Sequence, residues 1–182
     1  MLSQRPRSCV VAVDYDPWLL ELGRRTASRS IAWIDADLRA RWRGALPEKR
    51  YDAVVATTAM QWFEDDEVGR IYRDVAALTC TFLTSDLIAA GGANAREVAR
   101  LATLRRRSRG GEHWSDFWSD ARTEAVFADL LEERDRRFAG RPPMPSRPLE
   151  FHESALRAAG FADVDEIWRH GENAILLARR GA

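Results

Sequence analysis

Val10-Val-Ala-Val-Asp14-Tyr-Asp16-Pro17 is the stretch on which the reading of the fold turns. From Ser8 to Val13 the residues are short and β-branched, the pattern of a strand buried on both faces, and the run stops abruptly at acidic and turn-forming residues. Asp16 carries the short oxygen-bearing side chain that accepts hydrogen bonds at a helix start. Pro17 suits the first helical position, where its missing N–H costs nothing. The stretch predicts a strand over Ser8–Val13, a sharp turn, and a helix carrying Trp18-Leu-Leu-Glu-Leu22.

The same alternation continues outward. Ser30–Ile34 reads as a second short strand, ending at Asp35-Ala-Asp37-Leu38, and Tyr51–Thr57 as a third, after a polar turn at Pro47-Glu-Lys-Arg50. Asp65-Asp-Glu67 places negative charge at a helix N-terminus, where the macrodipole favours it. Val68, Ile71, Val75 and Leu78 then share one face at three- and four-residue spacing. Thr79–Leu87 reads as a fourth strand. Strand, helix, strand and helix in this order predict a parallel sheet with crossover helices. Between helix and strand, Leu78-Thr-Cys-Thr81 leaves little room for the chain to reverse, so either the helix end or the strand start should shift.

Beyond Gly91-Gly92, a helix rich in Ala, Arg and Leu should end at Arg105–Arg109 and Gly110-Gly111, its cations in the last turn. An aromatic cluster, His113-Trp-Ser-Asp-Phe117-Trp118, precedes an amphipathic helix expected over Ala121–Phe138. Arg141-Pro-Pro-Met-Pro-Ser-Arg-Pro148 cannot continue that helix and reads as a linker. A short helix over Ser154–Ala159 follows. Val164–Trp168 and Asn173–Ala178, joined through Arg169–Glu172, read as a terminal β-hairpin. The expected organisation is one domain over residues 1–182, with residues 104–149 as a helical, lid-like insertion.

Composition narrows the partners. The chain has 182 residues, and its 28 Lys and Arg balance 28 Asp and Glu, so no net field draws it to nucleic acid or an anionic membrane. No apolar run approaches the ~20 residues of a membrane span. Two cysteines, Cys9 and Cys80, lack metal-ligand spacing and suit a reducing compartment, so a cytoplasmic protein without a metal site is expected.

In this order the motifs resemble those of the class I S-adenosylmethionine-dependent methyltransferases, from about Ser8 to Arg180. The Asp14 stretch resembles the family's second strand, whose terminal carboxylate binds the ribose hydroxyls of the cofactor. Asp35-Ala-Asp37-Leu38 resembles the adenine-binding turn, and Asp52–Trp62 the fourth strand and its loop. Ala158-Ala-Gly-Phe161 and the closing hairpin resemble the final antiparallel strands. The resemblance implies a Rossmann-like, mostly parallel sheet with helices on both faces and a C-terminal antiparallel hairpin. It implies S-adenosyl-L-methionine as cofactor and a small-molecule methyl acceptor. Cofactor contacts would come from Asp14, Tyr15, Asp37, Leu38 and Thr57.

For each residue a plainer role stands beside this one. Asp14 is otherwise a strand-ending turn residue, and Asp16 reads as the helix cap. Tyr15 lies against the nucleoside or packs on the helix, and Asp37 either accepts from adenine or caps the next segment. Trp114 and Trp118, four residues apart, form lid core or an acceptor-lining wall. Asp86, at the end of the fourth strand, and His113 are the candidates for a general base, with His152 and His170 behind them. The Arg105–Arg109 run reads as a solvated helix end.

The family normally begins with a strand and a Gly-x-Gly-x-Gly loop ahead of the Asp14 strand, and no glycine precedes Val10. The first strand is therefore expected to be missing and activity impaired, as in an N-terminally truncated enzyme. A methyltransferase-like binding or partner subunit without catalysis is the alternative. A nicotinamide dehydrogenase is disfavoured by the hairpin, by the Asp37-Leu38 turn and by the lack of Gly-x-Gly-x-x-Gly.

Overall fold

The computed structural model describes residues 8–27, 31–89, 97, 100, 101, 104, 114–141 and 146–181. The expected helix end at Arg105–Arg109, the glycine pairs at 91–92 and 110–111, and His113 lie outside the described residues. The chain packs as two compact units, one from Met1–Pro47 with His113–Gly140, the other from Glu48–Glu112 with Arg141–Ala182.

In the first unit, β1 (Val11–Asp14) pairs in parallel with β2 (Ala32–Asp35), Asp14 opposite Asp35. Helix α1 (Pro17–Thr26) connects them. It begins as the sequence dictates, with Asp16 Oδ1 accepting from the Trp18 and Leu19 N–H groups at 3.0 and 3.2 Å. Gly23 lets α1 lie on β2, since a Cβ there would come within 2.3 Å of the Trp33 ring. The amphipathic helix expected over Ala121–Phe138 is α-helical only from Ala128, and the aromatic cluster before it forms a helix of its own. Helix α3 (Trp114–Ala121) stops where the Thr123 hydroxyl bonds back to the Asp120 carbonyl at 2.7 Å, and a 3-10 turn (Ala125–Phe127) leads into α4 (Ala128–Phe138). Trp18, Ala121 and Leu131 form this unit's core, with Phe117, Trp118, Phe127 and Leu130 packed around them.

The second unit holds a sheet in the order β3 (Val54–Thr57), β4 (Thr81–Ala89), β7 (Asn173–Arg179), β6 (Asp163–His170). β3 and β4 are parallel, while β7 runs antiparallel to both β4 and β6. Helix α2 (Asp65–Leu78) starts with a capping box between Glu64 and Glu67, and Val68, Ile71, Val75 and Leu78 are all buried. The tight reversal after it shifts the strand start, not the helix end. Thr79 turns out in extended conformation, its hydroxyl accepts from the Thr81 N–H at 3.1 Å, and β4 begins two residues later than expected. The hydroxyl closes this turn without a glycine.

The supposed linker is partly ordered: Arg147–Pro148 forms β5, parallel to the end of β4, and residues 142–145 lie outside the described set. Because Pro148 is extended, α5 (Leu149–Ala158) can begin five residues earlier than expected. Gly160, at φ +102°, ends it and delivers Phe161 into the core. The hairpin turn is shorter than expected, with β6 and β7 meeting across Gly171 and Glu172. The mixed α/β architecture, mostly parallel with a closing antiparallel hairpin, is the one the sequence predicts. β1–β2 and β3–β4–β7–β6 are separate sheets, and among the described residues no strand pairs with the second edge of β1 or of β3.

Candidate functional site

In the first unit, three carboxylates gather at the carboxyl ends of β1 and β2, and the structure treats each differently. Asp14 Oδ1 accepts from the N–H groups of Tyr15 and Asp16 at 2.7 and 2.9 Å. Its second oxygen has no hydrogen-bond partner among the described residues, and the residue is exposed to solvent. Crowding by protein atoms still raises its pKa, and the charges of Asp16 and Asp35 add to that, against the pull of the two N–H donors. Asp16 is buried and fully used, one oxygen capping α1 and the other bound to Arg134 Nε at 2.5 Å. Asp35 forms a two-point ion pair with Arg137 at 2.6 and 2.8 Å.

The candidates after Asp14 are near one another in this unit. The Tyr15 ring is tilted against Phe138 at 5.7 Å and lies under the Arg137 guanidinium at 5.0 Å. Asp37 accepts from the Arg39 N–H at 2.9 Å, which tightens a turn, and Leu38 within it is half-buried. No helix follows directly, so Asp37 fixes a turn and is not a helix cap. Trp118 packs on Trp18 with ring centres 5.2 Å apart and lies under the Arg134 guanidinium at 3.9 Å. Trp114 opens α3, its side chain outside the described set.

In the second unit, the loop after β3 is the chemically unusual segment. Thr57 ends the strand exposed, and Thr58 takes φ +49°, a left-handed conformation that a β-branched residue adopts only when its surroundings enforce it. Several contacts enforce it here. The Thr58 N–H donates to the Ser85 carbonyl at 2.7 Å, and buried Asp86 Oδ2 accepts from the Met60 N–H at 2.7 Å. Arg147 reaches the Met60 carbonyl at 3.2 Å, the Phe63 carbonyl, and Asp65 Oδ1 at 2.6 Å. Burial raises the Asp86 pKa, against the backbone donors and Arg147. Both of its oxygens are engaged by backbone, the other by the Leu87 N–H at 2.8 Å, so its visible role is to hold the loop.

Beneath that loop, Tyr72 and His152 form a buried pair, hydroxyl to Nδ1 at 2.7 Å. Burial, with the Arg147 charge, pushes the His152 pKa down to about 4. Burial and the Asp86 charge push Tyr72 up, so its hydroxyl keeps the proton. His170 lies stacked on Trp168 at 6.2 Å on β6. Among the described residues no group of His, Cys, Asp and Glu is placed to hold a metal ion, and no helix is long and apolar enough to cross a membrane.

No protein-family model matches the sequence, and no curated protein matches it. Solved structures do. Human N-acetylserotonin methyltransferase, in complex with S-adenosylmethionine, aligns with 100% of this chain and 43% of its own, at TM-score 0.57 and 13% identity. The S-adenosylmethionine-dependent methyltransferase SibL aligns with 100% of this chain and 46% of its own, at TM-score 0.56 and 17% identity. The fold is that of the class I S-adenosylmethionine-dependent methyltransferases.

Within this methyltransferase fold the chain spans less than half the length of either neighbour. A structure described as a pericyclic reaction enzyme aligns as well, over 98% of this chain and 39% of its own, at TM-score 0.54 and 12% identity. The methyltransferase fold therefore does not fix the reaction. Of the residues singled out from sequence, Asp14, Tyr15 and Asp37 lie together in the first unit; Asp35, Arg137 and Arg147 had been given no role. Asp35 was one step away in the same turn. The two arginines carry no local signal, because their partners lie 102 and 82 residues distant.

Proposed function

We propose that this chain binds the nucleoside half of S-adenosylmethionine in its first unit and serves methyl transfer to a small-molecule acceptor. One observation carries the reading: Asp14, at the carboxyl end of a parallel strand, has one oxygen pinned by backbone N–H groups and the other open. A carboxylate so placed accepts from a vicinal diol, as in other doubly wound nucleotide folds. Tyr15, Asp37 and Leu38 stand close enough in sequence and fold to line the adenine side. The bound cofactor would supply an electrophilic methyl group. The protein then has chiefly to orient the acceptor, with a base needed only where that acceptor must lose a proton. Within the first unit His113 remains a candidate for that base, and Trp114 and Trp118 for the acceptor wall.

The sequence holds no Gly-x-Gly-x-Gly to cradle the methionine half. A second reading, a binding subunit or an enzyme of other chemistry, draws support from the pericyclic enzyme's shared fold. Calorimetry with S-adenosylhomocysteine tests the first reading. Binding by the wild type and loss of detectable binding in Asp14→Ala is the expected result. Unchanged affinity in Asp14→Ala would sink it.

A further inference from the structure

Helix α4 is more than packing for the first unit's core. Its residues at three- and four-residue spacing fall into two groups. Leu130 and Leu131 enter the apolar cluster, while Arg134, Arg137 and Phe138 run on to the ends of β1 and β2. Arg137 makes a fork-to-fork pair with Asp35 at 2.6 and 2.8 Å and donates to the Tyr15 carbonyl at 2.9 Å. Glu133, one turn back, braces the same guanidinium at 2.7 Å. Arg134, its guanidinium stacked on Trp118, takes the free oxygen of Asp16. The Arg137 and Arg134 side chains are each 18% exposed; Asp16 is buried, so its pair is withdrawn from solvent, while Asp35, at 43%, leaves the Arg137 pair open to water and to screening by salt.

These contacts separate three neighbouring carboxylates. Asp16 and Asp35 each have a cation, and Asp14, which is Asp35's register partner, has none among the described residues. Left uncompensated, Asp35 would oppose ionisation of Asp14 and repel anything drawn to it. We infer that Arg137 is a positioning residue of the nucleoside site, neutralising Asp35 and fixing the Asp14–Asp16 turn so that Asp14, alone of the three carboxylates, stays unpaired by a cation and open to a diol. Arg134 supports it by holding Asp16. This rests on the reading of Asp14 as the ribose-binding carboxylate. It adds that a helix more than a hundred residues downstream is part of the nucleoside site.

The test uses the full chain with Arg137→Met, Asp35→Asn and the double variant, with S-adenosylhomocysteine as the probe. Arg137→Met should lose affinity about tenfold or more, because it leaves Asp35 charged beside Asp14, while the double variant should recover most of it. A merely structural role for Arg137 would leave the double variant as weak as the single one. Carbon-13 titration of the Asp14 carboxyl supplies a readout that needs no ligand. The charged groups facing it are Asp16 on its own turn, Asp35 on β2, and Arg134 and Arg137 on α4. Its midpoint should rise in Arg137→Met, fall in Asp35→Asn and return near the wild-type value in the double variant. A midpoint indifferent to Arg137 overturns the inference. If the midpoints move as expected but the wild type binds no probe, the electrostatic device stands and the nucleoside reading fails.

Discussion

His152 shows how one buried side chain writes a pH dependence into the protein. Inside the second unit it is held neutral, hydrogen-bonded to Tyr72, with its pKa at about 4, whereas the unfolded chain takes up that proton near 6.5. The unfolded state therefore binds more protons between these values, and stability falls as pH drops through that window. The full loss should reach about 3 kcal/mol. Urea denaturation at a series of pH values checks it, and His152→Phe should flatten the slope between about pH 6.5 and 4. A wild-type slope of opposite sign would mean that the histidine is charged in the fold. The sequence showed His152 as one of three histidines and ranked it low as a base, which agrees with its burial. What it did not show is the partner, because Tyr72 lies 80 residues away. Asp14 was legible for the opposite reason. Its position at the end of a β-branched run, followed by a cap and a proline, is local information, and its hydrogen bonds are to the next two residues.

At the scale of elements, starts marked by a local cap are kept, and starts without one move. Asp16-Pro17 and Asp65–Glu67 mark helix starts that the structure keeps, since such signals depend on neighbours in sequence. The break between α3 and α4 was not legible, because Ala121–Phe138 keeps a helical apolar spacing throughout, and the break rests on a side-chain bond at Thr123 and on Arg122 reaching Asp135 at 2.8 Å. Packing of α1 on β2 gives a sharper test. By helix propensity alone, Gly23→Ala should stabilise α1 by about 1 kcal/mol. The added methyl, however, meets the Trp33 ring at 2.3 and 2.5 Å, and overpacking of that kind costs about 1–3 kcal/mol. A net loss of stability is expected, seen as a lowered melting temperature with Trp fluorescence altered. A gain would show that Trp33 moves aside freely and that the contact does not position β2.

At the scale of the whole molecule, the alternation of strands and helices was enough to predict a parallel α/β sheet closed by an antiparallel hairpin. The division into two compact units was not, because apolar periodicity shows which face an element buries and not which other face covers it. The two sheets each carry a strand end with chemistry on it. In the first, two arginines take up two of three carboxylates and leave Asp14 open; in the second, Asp86 and Arg147 hold the left-handed Thr58 and its loop. The central claim is that the open Asp14 carboxylate grips a ribose diol. The most direct measurement is calorimetric binding of S-adenosylhomocysteine beside its 2′,3′-dideoxy counterpart, to the unmodified chain. A site built around hydrogen bonds to hydroxyls rejects an analogue lacking them, so the dideoxy compound should bind at least about a hundredfold more weakly. Equal affinity for the two compounds would contradict the claim.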